Sequence, residues 1–202
     1  MTNLLIIGAE NKIASAVREN LQYDAENDHV TLYTRYKSEL TPEVKSVDKV
    51  YEGKVTDLHD LKMAMHGQDV VYADINKDLA ANADAIIAAM QDEHVKRLIF
   101  ATTSGIYDQL PESYGEWTTQ QIDDAAVDYH NAAKAIRESG IDYTLVRPFW
   151  LHRSIKKDEQ AAISADAFKP SELSQAHVVN VITSLLQDTD KYQRTSISID
   201  KD

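Results

Sequence analysis

The sequence contains no cysteine, and this absence excludes disulfides, thiolate catalysis and cysteine-ligated metal sites. Only six glycines and four prolines are spread over 202 residues. No repeat or low-complexity segment is present, so neither a solenoid nor a disordered chain is expected. The seven histidines include no pair at i, i+4 spacing around a glutamate, which excludes the helical zinc-protease motif. We therefore predict no metal site.

Positive charge is also scarce, because 21 lysines and arginines stand against 33 aspartates and glutamates, for a formal net charge of −12. Nucleic acids and anionic membranes are bound through basic patches, so neither is an expected partner. No apolar run is long enough to cross a membrane, and the N-terminus has the pattern of a strand, not of a signal peptide. We expect a cytoplasmic protein with a small-molecule substrate, whose oligomeric state the sequence does not indicate.

Apolar runs alternate with helical periodicity along the chain, which is typical of a parallel sheet covered on both faces. Strands are expected at residues 4–7, 29–34, 47–51, 69–73, 97–102, 143–146 and 196–199. Helical spacing follows the first, third, fourth, fifth and sixth of these strands. Right-handed crossovers then favour an α/β fold with a Rossmann-like, doubly wound parallel sheet.

No linker interrupts this pattern, so we predict a single domain over residues 1–202. The helical and strand periodicity weakens after about residue 149. A small lid or substrate region is therefore expected at about residues 149–172, over the cleft.

In a doubly wound sheet the ligand lies outside the carboxyl ends of the strands, where the strand order reverses. The first strand-to-helix turn spans residues 8–14, and Gly8 stands where the chain must turn tightly. Asn11 occupies the place of a second glycine, and asparagine is the non-glycine residue that best tolerates a left-handed conformation. Glu10 adds a negative charge that Lys12 would offset. The turn is either a working pyrophosphate site or an ordinary structural turn.

The end of the second predicted strand carries Arg35 and Lys37 and no acidic residue. An acid at this place binds the ribose hydroxyls of NAD, whereas an arginine accommodates the 2′-phosphate of NADP. If a dinucleotide binds, NADP(H) is therefore favoured. The alternative is a solvated arginine on a surface loop.

Several segments together resemble one family, the atypical short-chain dehydrogenase/reductases of the NmrA-like and flavin-reductase or biliverdin-reductase-like branch. The matching segments are residues 5–9, 53–57, 67–73, 95–100, 103–107 and 138–148. They span nearly the whole chain in the right order, and the last one is the most specific. The resemblance implies a Rossmann fold that holds NADP(H).

The resemblance also implies which residues contact the cofactor. The implied contacts are Gly8, Asn11, Lys12 and Ile13 with the pyrophosphate, Arg35 with the 2′-phosphate, Lys54 and Val55 with adenine, Tyr72 and Ala73 with ribose, and Pro148 and Phe149 with the nicotinamide. Ala9 and Thr102 complete the predicted cofactor-binding set.

The chain departs from the family pattern at several of these positions. The family usually has glycine where this chain has Asn11 and Phe149, and aspartate where it has Lys54. Residues 174–178 read Ser-Gln-Ala-His-Val in place of the family's Ser-Arg-x-Asp-Val. Each change removes a group that helps to shape the family's site.

Hydride-transfer enzymes of the wider superfamily use a tyrosine and a lysine four residues later as a proton-donating pair. Here Tyr129 is followed at that spacing by Ala133, and Lys134 lies one residue beyond. One residue is about 100° of helix rotation, which turns the amine off the tyrosine's face. The candidate catalytic residue is instead Ser104, at a position where some flavin-reductase-like members carry a serine. Ser104 would orient a substrate carbonyl or a flavin, or else it caps the following turn.

Two functions from different classes follow. The first is an NADP(H)-dependent reductase of a small planar acceptor, such as a flavin or quinone. Phe149 and Trp150 would stack on this acceptor, or else they pack under the lid. The second is a non-catalytic NADP(H)-binding or redox-sensing regulator of the NmrA-like kind, which the missing glycine, Glu10 and Phe149 favour.

Overall fold

The computed structural model describes residues 3–21, 29–40, 49–101, 123–148 and 175–199. The strands are β1 (Asn3–Ile7), β2 (His29–Thr34), β3 (Lys49–Glu52), β4 (Val70–Ala73), β5 (Arg97–Ala101), β6 (Asp142–Pro148) and β7 (Thr195–Ile199). The helices are α1 (Lys12–Asn20), α2 (Leu58–Met65), α3 (Leu79–Asp92), α4 (Asp123–Glu138) and α5 (Gln175–Gln187), with a 3₁₀ helix at Lys37–Glu39.

All seven strands are parallel, in the order β3-β2-β1-β4-β5-β6-β7. The predicted single-domain α/β fold, a Rossmann-like doubly wound parallel sheet, is thereby confirmed. The chain moves outward from β1 to β3 on one side and from β4 to β7 on the other. The strand order therefore reverses between β1 and β4, and this is where such folds bind ligands.

Alternate side chains of β1 enter the two cores of the molecule, because successive residues of a strand point to opposite faces. Leu5 and Ile7 pack with buried residues of α2, α3 and α4. Leu4 and Ile6 pack with buried residues of α1 and α5 on the other face. Burial on both faces explains why the strand sequence is continuously apolar.

Most predicted strands have nearly the predicted bounds, and β2 has the same ones. Gly140 adopts a φ of +80° just after α4, a left-handed conformation that favours glycine and ends the helix. β6 begins one residue earlier than predicted and continues to Pro148. A proline is tolerated at this strand end because little of the hydrogen-bond ladder follows it.

Candidate cofactor site

A cleft of about 650 Å³, including solvent at its mouth, opens at the carboxyl ends of β1 to β4. The structure brings together along its wall five of the residues predicted at the cofactor, namely Gly8, Asn11, Arg35, Lys54 and Val55. The cleft lies at the reversal of strand order, where the fold places a dinucleotide.

Gly8 ends β1 and turns the chain toward α1. Its φ is +78°, a left-handed conformation that favours glycine. A Cβ at this position would also overlap the carbonyl oxygen of Asp74. The N–H groups of Gly8 and Ala9 both donate to the carbonyl of Tyr33, at 3.0 and 3.2 Å. This turn is therefore fixed by backbone contacts with the two neighbouring strands.

Asn11 does not adopt the left-handed conformation considered for it. Its φ of −70° and ψ of 145° are extended, so no glycine is needed here for conformational reasons. The side chain instead reaches the end of β4, where Nδ2 donates to the carbonyl of Asp74 at 2.5 Å. Its Oδ1 accepts a bond from Asn76 at 3.4 Å. Asn11 thus fills space in the turn and ties it to the segment after β4.

Asp74, the first residue after β4, places a carboxylate at the N-terminus of α1. Its Oδ2 accepts a hydrogen bond from the backbone N–H of Ala14 at 3.1 Å. Burial raises the pKa of this carboxyl from an ordinary 3.8 to about 6; the bond from Ala14 opposes the rise, and the nearby charge of Glu10 adds to it. Sequence reasoning missed Asp74, although its place directly after a buried strand at the ligand-binding edge was an available signal.

A carboxylate also lies at the end of β2, where the sequence places only cations. Glu10 Oε1 accepts the backbone N–H of Arg35 at 3.2 Å, and Glu52 accepts that of Lys37 at 2.9 Å. The expectation that no carboxylate lies near Arg35 is therefore wrong, because the turn after β1 folds over the end of β2. The Oε2 atom of Glu10 is buried and has no hydrogen-bond partner among the described residues. The exposed Arg35 side chain lies with its guanidinium 5.8 Å from the ring centre of Tyr36.

Tyr33 supports the wall formed by Lys54 and Val55 after β3. The buried tyrosine donates its hydroxyl hydrogen to the carbonyl of Lys54 at 2.9 Å. A Cβ at Gly53 would lie 2.5 Å from this hydroxyl oxygen, so glycine is required for the close approach. Burial and two nearby aspartates raise the pKa of Tyr33 to about 12. The hydroxyl therefore remains a donor at neutral pH.

Other residues predicted at the cofactor do not line this cleft. Tyr72 and Ala73 are each 0% exposed. Ala9 is buried in the core that α1 and α5 cover, and Ile13 packs against this core. Lys12 is exposed at the start of α1. Because the side chains of Tyr72 and Ala73 are buried, only their main-chain atoms would contact a ribose, and this contact stays a prediction.

The residues predicted at the nicotinamide lie mostly beyond the described part of the chain. Pro148 is the last residue of β6. Thr102, Ser104, Phe149 and the proposed lid at residues 149–172 all lie outside the described residues. Their roles remain predictions.

Tyr129 and Lys134 do not form a proton-donating pair. Ala133, at the spacing where the pair needs a lysine, is 1% exposed, and Lys134 is exposed on another side of α4. Burial raises the pKa of Tyr129 to about 12, and the charges of Asp74 and Asp128 add to the rise. A tyrosine that transfers a proton near neutral pH needs a lowered pKa. Neither feature favours the Tyr129–Lys134 pair, which the sequence spacing also disfavours.

Asp128 has a structural role beside the cleft. Its two carboxylate oxygens accept the backbone N–H groups of Leu79 and Ala80, at 2.5 and 2.9 Å. The N-terminus of α3 is therefore capped by a side chain from α4. This cap holds the segment between β4 and α3, which forms one side of the cleft.

Within the described ranges, no helix is both long and apolar enough to cross a membrane. The same part of the chain contains no group of three or more side chains suited to hold a metal ion.

Comparisons with known proteins agree with this geometry. Residues 8–189 match the NAD(P)H-binding family. A Rossmann-fold NAD(P)-binding family protein from Shigella flexneri is 30% identical, with a TM-score of 0.78 over 100% of this chain and 94% of that one. A search of curated proteins gives no match.

Two further solved structures share the fold at lower identity. A short-chain dehydrogenase/reductase from Veillonella parvula, in complex with NADP, is 24% identical with a TM-score of 0.81, over 99% of this chain and 94% of that one. The anaerobilin reductase ChuY from Escherichia coli O157:H7 is 17% identical with a TM-score of 0.71, over 98% and 96% of the two chains.

The predicted nicotinamide dinucleotide cofactor is confirmed at the level of the family. The family match covers most of the chain, and the Shigella flexneri protein aligns with its whole length. This protein therefore belongs to the NAD(P)H-binding family of Rossmann-fold proteins.

Proposed function

We propose that this protein is an NADP(H)-dependent reductase of a small planar acceptor, of flavin or quinone type, in the NmrA-like and flavin-reductase-like branch of the atypical short-chain dehydrogenase/reductases. The observation that carries the proposal is the cleft at the ends of β1 to β4, which combines the N-terminus of α1 with Arg35. Backbone N–H groups at a helix N-terminus bind phosphate, and arginine binds it through charged hydrogen bonds.

The residues of the cleft fit a dinucleotide. Lys12 and Ile13 open α1, so their N–H groups have no acceptor within the helix. The exposed guanidinium of Arg35 would bind the 2′-phosphate, and Lys54 and Val55 would contact adenine. The unpartnered buried Oε2 of Glu10 is an acceptor that a ribose hydroxyl would satisfy. The reduced cofactor supplies a hydride when it is bound.

Charge reversal at Arg35 tests the preference for NADP(H). Arg35→Glu should weaken NADPH relative to NADH by about 10- to 150-fold, because a charged hydrogen bond contributes about 1.5–3 kcal/mol. Lys37→Glu is the matched control, since Lys37 is also an exposed cation after β2 but does not line the cleft. Fluorescence titration gives both affinities. Equal affinity of the wild type for NADPH and NADH would overturn the preference.

The acceptor is proposed because the described residues supply no placed proton donor. A simple carbonyl becomes an alkoxide as hydride arrives, and a placed donor for that charge contributes about 10²- to 10⁴-fold in rate. Tyr129, with its pKa raised to about 12, does not meet this need. A flavin or quinone delocalises the charge and takes its proton from water. Ser104 would orient the acceptor, and Phe149 and Trp150 would stack on it.

A panel of quinones and flavins compared with one of aldehydes and ketones tests this choice. Conjugated acceptors should oxidise NADPH faster in steady-state assays. Faster turnover of the simple carbonyls would reveal a proton donor and refute the proposed substrate class.

A specific observation also favours a second function, a non-catalytic NADP(H)-binding or redox-sensing regulator. The side chain of Asn11 and the carboxylate of Asp74 both occupy the turn where cofactor phosphates are expected. Such a site suits reversible binding better than rapid turnover. NADPH binding without turnover on either panel would favour this function.

A further inference from the structure

The most unusual feature of the cleft is the carboxylate that already occupies the first turn of α1. Asp74 Oδ2 lies 3.1 Å from the backbone nitrogen of Ala14. The amides of this turn are the ones that a dinucleotide pyrophosphate approaches in a Rossmann fold. Given the proposed cofactor site, we propose that the Asp74 carboxylate competes with the cofactor pyrophosphate for the amides that open α1, so that cofactor affinity depends on the charge of this side chain.

The position of Asp74 is fixed from several sides. Its own N–H donates to the carbonyl of Ile7 at 3.0 Å, and its carbonyl accepts the side-chain amide of Asn11 at 2.5 Å. Gly8 packs against the same carbonyl so closely that no Cβ fits between them. The backbone therefore cannot withdraw freely, and relief of the competition must come from the charge or the rotamer of the side chain.

The groups that face Asp74 do not neutralise it. Glu10 approaches from the turn after β1 and is another anion. Tyr72 on β4 and Tyr129 on α4 are near enough for their pKa values to be raised by the Asp74 charge. Lys77 and Asp78 line the same cleft and carry opposite charges. Among the described residues Asp74 forms no salt bridge.

These surroundings determine whether the cofactor affinity rises or falls with pH. Burial and Glu10 already raise the pKa of the Asp74 carboxyl to about 6. A pyrophosphate at the same amides would raise it further, because two anions in contact disfavour the charged form. Binding at a pH between the free and the raised pKa therefore takes up a proton. The affinity should then fall with rising pH, by at most tenfold per pH unit for one proton.

The test measures the affinity for NADP⁺ by calorimetry between about pH 6 and 8.5 in three proteins. Asp74→Asn removes the charge while its Oδ1 still accepts the Ala14 N–H, so the fold is preserved. Asp78→Asn is the matched control. Asp78 is exposed in the same cleft, and its φ of 49° is one that asparagine tolerates. The 2′-phosphate of NADP⁺ titrates near pH 6 with all three proteins. A difference in the pH dependence of affinity between the proteins therefore comes from Asp74.

We expect Asp74→Asn to bind NADP⁺ at least tenfold more tightly than the wild type at about pH 8, with a flatter pH profile, and Asp78→Asn to follow the wild type. Titrations in buffers of different ionisation enthalpy should show proton uptake in the wild type and Asp78→Asn and less in Asp74→Asn. Unchanged or weaker binding by Asp74→Asn, or equal proton uptake by all three, would overturn this inference alone. Absence of binding by all three proteins would overturn the proposed function and the inference with it.

Discussion

Replacing Asp74 by asparagine should stabilise the cofactor-free protein at pH 8. The pKa of the carboxyl is raised from 3.8 to about 6 in the folded chain. The native state therefore binds more protons than the unfolded chain between these values, and stability falls as the pH rises through this window. At 1.36 kcal/mol per unit, a difference of about 2.2 units costs about 3 kcal/mol at pH 8.

The asparagine amide must itself be partly desolvated, at about 1–2 kcal/mol. We therefore expect the free energy of unfolding to rise by about 1–2 kcal/mol at pH 8. The advantage over the wild type should shrink by about 1.4 kcal/mol at pH 5, where most of the wild-type carboxyl is already protonated in the folded state.

Urea unfolding followed by circular dichroism at pH 5 and 8 measures both differences. Asp78→Asn serves again as the control, because it removes a charge from the same cleft at an exposed position. An advantage of Asp74→Asn that stays constant between the two pH values, or one that is larger at pH 5, would show that the Asp74 carboxyl is not destabilised by its surroundings.

Three further changes have definite expected results. Asn11→Gly should tighten NADPH binding in calorimetry, because it opens the turn. It should also lower the free energy of unfolding by about 1–2 kcal/mol, because it loses the bond to Asp74 and adds conformational entropy to the unfolded chain. Unchanged or weaker binding would mean that Asn11 is itself a ligand. Glu10→Gln should lower the pKa of Asp74, measured by NMR titration of its carboxyl carbon, because the Glu10 charge raises it; a higher value would contradict this. Asp128→Ala should lower the free energy of unfolding by about 1–2 kcal/mol, since it removes the cap of α3; no loss in urea unfolding would show that water replaces the cap.

The fold could be predicted from the sequence because its signals are local. Both faces of each central strand are buried, so β1 and β5 are continuous apolar runs after their first residue. The bounds of α4 follow from apolar spacing and from Gly140, whose positive φ ends the helix. Such patterns depend only on residues a few positions apart.

The site could be predicted only in outline, because its contacts join distant parts of the chain. The bond between Asp74 and Ala14 spans 60 positions, and that between Glu10 and Arg35 spans 25. The sequence places Arg35 at the end of β2 but carries no sign that the preceding turn folds Glu10 onto it. Tyr72 and Ala73, likewise, are buried on opposite faces of β4 by helices from distant parts of the chain.

Linkage between the charge of Asp74 and cofactor binding allows two independent measurements to be checked against each other. If a bound dinucleotide raises the pKa of Asp74, protonation of Asp74 must raise the dinucleotide affinity by the same factor, because coupling between two binding equilibria is reciprocal. An affinity that is tenfold higher for the protonated form corresponds to a rise of about one pKa unit in the complex. NMR titration of Asp74 with and without NADP⁺, and the part of the pH dependence of calorimetric affinity that Asp74→Asn removes, must therefore give one coupling value. Disagreement between them would assign the pH dependence to another group in the cleft.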